Sequence, residues 1–332
     1  MLQILKQNPR LPAECGEIRV GVVGARGYVG RELARLIEQH PALSLVFASS
    51  NRLAGQPAIG ATAGAASPLV YAPSDPARLA DQRLDVVVLA LPDGASGAYL
   101  ETLTETERPP RLIVDLSADH RFDAAWVYGA PEMNESQLAR ATRIANPGCY
   151  ATAMCLALRP LVGRFTAVAH CFGVSGYSGA GATPCERNDA AALRNTILPY
   201  ALVGHGHERE VGQHLNAPVR FAPSVAEFFR GIVLTAMVEL DEPIEQVDVY
   251  SLYEKTYRDC PYVHFLGERT PHLGDVVGGP AAHIGGVCVD ERDGRRVGVV
   301  CVLDNLLKGA ASQAIQNINL ALELAPTKGL TP

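Results

Sequence analysis

Gly24-Ala25-Arg26-Gly27-Tyr28-Val29-Gly30 is the stretch whose reading decides the fold. Ahead of it, Ile18 to Val23 is a short apolar run of strand length. Behind it, Tyr28 to His40 puts Val29, Leu33, Leu36 and Ile37 at helical spacing, and Pro41 stops the helix. A strand, a glycine turn and a helix in that order form the opening of a dinucleotide-binding unit. Glycines let backbone N–H groups come close to a pyrophosphate, and the helix N-terminus supplies a favourable field. The spacing is G-x-x-G-x-x-G rather than G-x-G-x-x-G, so the strand–turn–helix context carries the reading. The bland alternative is a turn that needs glycine only for helix–sheet packing. On the functional reading, Gly24, Arg26, Gly27, Tyr28, Val29 and Gly30 contact the cofactor.

Outward from this turn the chain alternates strands and helices. Leu43 to Ala48 reads as a second strand, Asp85 to Leu91 as a strand buried on both faces, Ala95 to Thr104 as its crossover helix, and Leu112 to Leu116 as another strand. Asn51 to Pro76 is rich in Gly, Ala and Pro and reads as loop. The alternation predicts an α/β, Rossmann-like doubly wound domain. The second strand ends in Ser49-Ser50-Asn51-Arg52, where an NAD site usually carries an acid. Hydroxyls and a guanidinium suit a 2′-phosphate, so the expected cofactor is NADP(H), with Ser49, Ser50 and Arg52 on the phosphate.

Past residue 148 the texture changes. Thr166 to Val174, Gly231 to Leu240, Gly285 to Asp290 and Arg296 to Leu303 are longer and more alternating, and the last two flank an Asp-Gly turn. They predict an α+β domain with a mostly antiparallel sheet, covered by a helix over Ile244 to Tyr257. Leu306 to Leu324 reads as a closing amphipathic helix.

The chemistry centres on Asn146-Pro147-Gly148-Cys149-Tyr150-Ala151-Thr152. Pro147 and Gly148 break the chain, and a helical run from Ala151 to Leu161 follows. That puts the Cys149 thiol at a helix N-terminus, where free N–H groups and the macrodipole favour a thiolate. A thiolate beside a dinucleotide site suggests reduction through a covalent thioester. A base is expected in His205-Gly206-His207-Glu208-Arg209-Glu210. His207 and Glu210 share a helical face, His205 and Glu208 have the same spacing, and the pattern does not choose between the histidines. A metal set of His205, His207 and His214 lacks a completing ligand, so no metal is expected. Asp115 to Phe122, after a strand, and the Gly/Ser stretch Gly173 to Gly181 are further polar positions for ligands.

Composition narrows the field. The chain has 332 residues, 48% hydrophobic, with a net charge of −6 and no Lys/Arg block, so nucleic acid and membrane surfaces are poor partners. No apolar run approaches a bilayer span, and residues 1–16 lack a signal-peptide core, so a cytoplasmic protein with an N-terminal extension over 1–17 is expected. The eight cysteines show no Cys-x-x-Cys pairing, and Cys155, Cys171, Cys288 and Cys301 are expected as buried hydrophobes.

Taken together, these stretches resemble the N-acetyl-γ-glutamyl-phosphate reductase family. The resemblance runs in order through Gly24 to Gly30, Leu89-Ala90-Leu91-Pro92, Asp115 to Phe122 and Tyr128-Gly129-Ala130-Pro131-Glu132. It continues through Asn146 to Thr152, Gly173 to Gly181, His205 to Glu210, Arg230-Gly231-Ile232 and Asp304 to Ala311. Only the N-terminal extension falls outside. The resemblance implies that Cys149 attacks an acyl phosphate and that His205 or His207, with Glu210, serves as acid/base. It implies Pro92, Ser117 and Asn305 near the cofactor, and Arg121, Asn146, Ser175, Gly176 and Lys308 near the substrate. It further implies a final helix that packs back on the first domain. The boundaries are then 18–148 with 305–332 for the dinucleotide domain and 149–304 for the catalytic domain, in a homodimer or homotetramer. The chain departs from the family pattern at Asp93, Ala151 and Ala222-Pro223-Ser224, where His, Pro and Thr-Pro-His are common. Rival readings are an aspartyl or carrier-bound aminoadipyl phosphate as substrate, and a non-catalytic NADP(H) sensor.

Overall fold

The computed structural model describes residues 17–58 and 69–331. All of the expected extension but Glu17, Cys15 included, lies outside these residues, as does part of the Ala/Gly-rich stretch after Ala54. Two sheets organise the chain. The first has six strands in the order β2-β1-β3-β4-β6-β5, all parallel: β1 (Ile18–Val23), β2 (Leu43–Ser49), β3 (Val86–Leu89), β4 (Leu112–Asp115), β5 (Val127–Tyr128) and β6 (Arg143–Ala145). Their near-continuous Val, Ile and Leu content follows from burial on both faces, under α1 (Tyr28–Gln39), α2 (Pro76–Ala80), α3 (Gly97–Glu105) and α4 (Pro131–Leu138). Helices α2 and α4 are too short for a periodic pattern to announce them.

The second sheet has seven strands in the order β11-β12-β13-β10-β7-β9-β8. These are β7 (Ala169–Gly176), β8 (Ile197–Pro199), β9 (Val219–Ala226), β10 (Ile232–Glu239), β11 (Val263–Phe265), β12 (Ala282–Val289) and β13 (Arg296–Leu303). It is mixed: β7 with β9 and β11 with β12 pair parallel, and the remaining pairs are antiparallel. Helices α5 (Cys149–Leu158), α6 (Gly206–Leu215) and α7 (Gln246–Tyr257) share its core; Tyr253 and Tyr257 donate to the Ala157 and Leu156 carbonyls at the end of α5. The opposite face leaves Phe172 and Met237 about half exposed.

The closing segment departs from the amphipathic expectation. It is a π-helical turn, Leu307–Ala311, followed by α8 (Ser312–Ala321), and it is buried on every side. Leu307, Ala311, Ala314, Ile315 and Ile318 pack with Ile18, Val20, Leu33 and Val114, in the core of the first sheet. Lys308, Gln316 and Asn317 find partners inside it, whereas the buried Ser312 hydroxyl and Gln313 amide have none among the described residues. Lys308 Nζ donates to Glu132 at 2.6 Å and to Gln316 at 2.8 Å, and Asn317 donates to the Gly129 carbonyl and to Asn146 Oδ1.

Two expectations change here. Lys308 is fully buried in its ion pair with Glu132, so it does not hold a substrate anion. Cys288 is exposed, because the β12 register shifts between Gly285 and Cys288; Cys155, Cys171 and Cys301 are buried. Removing one partner of a buried ion pair strands the other. Lys308→Met is expected to cost about 3–5 kcal/mol. The measurement is the urea midpoint, and adding Glu132→Gln should recover a large part of the loss.

Candidate active site

The glycine turn is built as a cradle. Gly24 has φ +80° and its Cα faces the Ala90 carbonyl at the end of β3, so any side chain there collides with backbone. Gly27 is the N-cap of α1, and a Cβ there would touch only the Gly24 carbonyl oxygen, at 3.6 Å. The N–H groups of the first turn of α1 lack helical acceptors. A dinucleotide phosphate fits this cradle. Ser49 and Ser50 do not face it: both hydroxyls are buried, Ser49 Oγ on Gly24 N and Ser74, Ser50 Oγ on Leu53 N. This corrects the expectation that they meet a 2′-phosphate; Arg52 just beyond them is exposed. Ser117 is also turned inward, donating to Asp115 and accepting from Asp119 N, so it shapes its own turn. Pro92 lies exposed beyond β3.

Helix α5 begins at Cys149 itself, two residues earlier than the apolar run suggests, because Gly148 is its N-cap and its carbonyl accepts from Thr152 N. Cys149 is part-exposed at this helix start. Burial is the largest influence on its thiol and pushes it up to about 11, against the N–H of Tyr150 and the charge of Arg121, which pull it down. Desolvation thus opposes the helix-terminal field expected to favour a thiolate. Burial likewise lowers His207 to about 4, so the imidazole is neutral and able to accept a proton.

The structure separates the two histidines. His205 is the N-cap of α6, and its Nδ1 accepts the His207 N–H at 3.2 Å. His207, on the first turn of α6, lies against Gly148 so closely that a side chain at 148 would strike its ring. The ring centroids of the pair are 4.8 Å apart. His214 is elsewhere, stacked on Tyr128 with Nε2 on the Arg121 carbonyl.

Glu210 is almost wholly buried one turn beyond His207. It does not hydrogen-bond to the imidazole, which corrects the orienting role. Its oxygens accept from Tyr128 Oη, Gly148 N and Arg121 Nη1, each at 2.9 Å. Burial pushes the carboxyl up, and Arg121, His207 and these donors together hold it below its usual range. Arg121 is equally engaged, donating also to the Asn146 and Leu116 carbonyls. Arg121 therefore braces the turn from below instead of meeting substrate. Asn146 is corrected in the same way, since its amide is bonded to Ala310 and Asn317.

The Gly/Ser stretch was expected as a donor loop. It is strand β7 followed by a short turn, and Gly176, Tyr177 and Ser178 N–H groups donate to Gly231, Phe228 and Phe229. The Gly176 N–H is thus unavailable to an anion, and Ser175 is buried. Asn305 is held between Gly231 N and Ser178 Oγ. Sequence reasoning missed Tyr128, Tyr150 and Tyr200. Two stand inside quoted motifs, but nothing in spacing marks an aromatic as a site wall. Tyr200 is carried by a loop with no periodic signal.

Comparisons with known proteins fit this geometry. The sequence pattern described as "Semialdehyde dehydrogenase, NAD binding domain" matches residues 19–141, and that described as "Semialdehyde dehydrogenase, dimerisation domain" matches 149–305. A protein of Xanthomonas euvesicatoria named N-acetyl-gamma-glutamyl-phosphate reductase is 46% identical over 303 residues, 91% of this chain and 95% of its own length. The chain belongs to the N-acetyl-γ-glutamyl-phosphate reductase family. A Xylella fastidiosa relative of the same name is 45% identical over 92% of each chain. Among solved structures, aspartate semialdehyde dehydrogenase II of Vibrio cholerae aligns with TM-score 0.74 at 19% identity, covering 93% of this chain and 99% of its own. The Candida albicans aspartate semialdehyde dehydrogenase with NADP aligns with TM-score 0.68 at 16% identity, covering 92% and 99%. These likenesses establish the shared semialdehyde-dehydrogenase fold. No helix among the described residues is long and apolar enough to cross a membrane.

A neutral thiol gives a specific pH signature. Alkylation of Cys149 by iodoacetamide should accelerate about tenfold per pH unit between pH 7 and 9, because the thiolate fraction rises with that slope below the pKa. A rate already flat across this window would mean a resident thiolate.

Proposed function

We propose that this protein catalyses the NADPH-dependent reductive dephosphorylation of N-acetyl-γ-glutamyl phosphate to N-acetylglutamate semialdehyde, a step of arginine biosynthesis. One observation carries the reading: a part-exposed cysteine at a helix start, with a neutral imidazole against the same turn, in a member of this reductase family.

In the proposed reaction His207 takes the Cys149 proton as the sulfur attacks the acyl carbon. A C–S bond forms, the C–O bond to phosphate breaks, and inorganic phosphate leaves with the electron pair. The Gly24–Gly30 turn would hold the phosphates of a reduced nicotinamide dinucleotide, which when bound would supply the hydride for the thioester carbonyl. The helix-start N–H groups of Cys149 and Tyr150 face the developing negative charge. The oxyanion then collapses to the aldehyde, the C–S bond breaks, and His207 returns its proton to the departing sulfur. Glu210 and Arg121 act as positioning residues: they fix the Gly148 N–H and so the start of the helix. His205, fixed as an N-cap, is not the acid/base in this reading.

NADP(H) is the proposed cofactor because β2 ends without an acid and Arg52 is exposed there. The half-exposed Phe172 and Met237 on the open face of the second sheet support a homodimer or homotetramer. The site is proposed to act in the cytoplasm, on a small-molecule acyl phosphate.

The assay is NADP⁺ reduction with N-acetylglutamate semialdehyde and phosphate. Cys149→Ser should abolish turnover while NADPH affinity, read by fluorescence titration, stays within about twofold of the parent, since catalysis and nucleotide cradle are separate. His207→Asn should lower kcat about 10²–10⁴-fold, far more than His205→Asn. Equal losses in the two histidine variants would reject His207 as acid/base. Arg52→Ala should raise the KM for NADPH about tenfold and leave that for NADH unmoved, as expected for a lost charge-assisted bond.

A further inference from the structure

The cations around the Cys149 cleft are nearly all engaged by carboxylates. Arg121 is paired with Glu210, Arg230 with Glu32 and Asp304, Lys308 with Glu132, and Arg220 with Glu208. Among the described residues no carboxylate pairs with two of them: Arg209, whose guanidinium carbon stands 4.1 Å from the Phe122 centroid, and Arg187, which is the one joined to the histidines. Its guanidinium carbon stands 4.7 Å from the centroid of the Tyr200 ring. Tyr200 in turn meets the His205 ring at 5.8 Å, His205 meets His207 at 4.8 Å, and His207 lies on the Gly148–Cys149 turn. A run of rings thus leads from the turn that carries the thiol to a guanidinium that no carboxylate neutralises and that also hydrogen-bonds to the Tyr200 hydroxyl.

The loop that carries Arg187 is tied in place. Asn188 Nδ2 donates to the Gly181 and Thr183 carbonyls, and its Oδ1 accepts from Cys185 N. The chain beyond is fixed where Asn195 N donates to Glu227 and Tyr200 N to the Pro223 carbonyl. Arg187 is therefore presented at the rim on an ordered support. The Tyr200 face restricts its planar fork, which suits bidentate recognition of a carboxylate. Its charge is also felt at the site, where it adds to burial in lowering His205.

We infer that Arg187 is the specificity-determining residue that binds the α-carboxylate of the substrate, at the end of the cleft opposite the reacting carbonyl. The inference rests on the reading given under Proposed function. In that substrate the carboxylate is separated from the reacting carbonyl by three methylene or methine carbons. The anchor therefore has to stand away from the sulfur along the wall, where Arg121 and Lys308 do not reach. Arg187 contributes to binding and makes no contact with the reacting atoms, so its removal acts on KM more than on kcat.

The experiment compares N-acetylglutamate semialdehyde with its α-carboxamide, using the full-length wild-type enzyme, Arg187→Met and Arg187→Lys, with phosphate and NADP⁺. Wild type should show a KM about 10- to 100-fold lower for the carboxylate than for the amide, as expected for a charge-assisted pair. Arg187→Met should raise the KM for the carboxylate to near that of the amide, leave the amide KM unmoved, and change kcat much less. Arg187→Lys should restore part of the discrimination. An Arg187→Met variant that keeps wild-type discrimination, or that weakens both compounds equally, overturns the inference while the reductase reading stands. A wild-type enzyme that turns over neither compound overturns both.

Discussion

The buried ion pair of Arg121 and Glu210 is the constraint on which the rest of the site depends. Arg121 comes from the loop after β4, in the first sheet, and Glu210 from α6, over the second. Between them they hold the Gly148 N–H and the Asn146 carbonyl, the two ends of the turn that delivers Cys149. A charge pair out of water adds little net stability, because desolvation consumes most of the attraction. Its contribution is geometric. With both members fully hydrogen-bonded, the turn has one position relative to both sheets, and so has the thiol.

That arrangement also explains why the reactive groups rest in neutral form. The packing that fixes the turn removes water from Cys149 and His207, raising one pKa and lowering the other. A thiol and an imidazole in this state exchange a proton only when an acyl group arrives to drive it. The cofactor cradle works differently. Gly24 is required by its positive φ and by backbone approach, whereas a Cβ at Gly27 would meet only ordinary contact.

How far the sequence revealed this depended on range. The strand–turn–helix around Gly24 and the parallel strands at Val86 and Leu112 were legible because period and composition are local properties. The thiol at a helix start was legible for the same reason, since Pro147 and Gly148 flank it directly. The side-chain assignments at Ser49, Asn146, Gly176 and Lys308 were not. Each has a partner remote in sequence, such as Lys308 with Glu132 or Gly176 with Gly231, and residue type alone does not say whether a donor is free. The closing helix misled for a related reason. Lys308, Gln313, Gln316 and Asn317 mark a wet face by composition, yet lie at buried positions, and two of them, Lys308 and Asn317, bond to the first half of the chain.

That inward-facing closing helix has a consequence for biogenesis. Its apolar residues complete the core around β1 and α1, near the opposite end of the chain. During synthesis the strands of the first sheet emerge well before Leu307 to Leu322, so its interior stays open until that segment follows. The nascent chain therefore carries an unfinished apolar surface while the entire second sheet is being made.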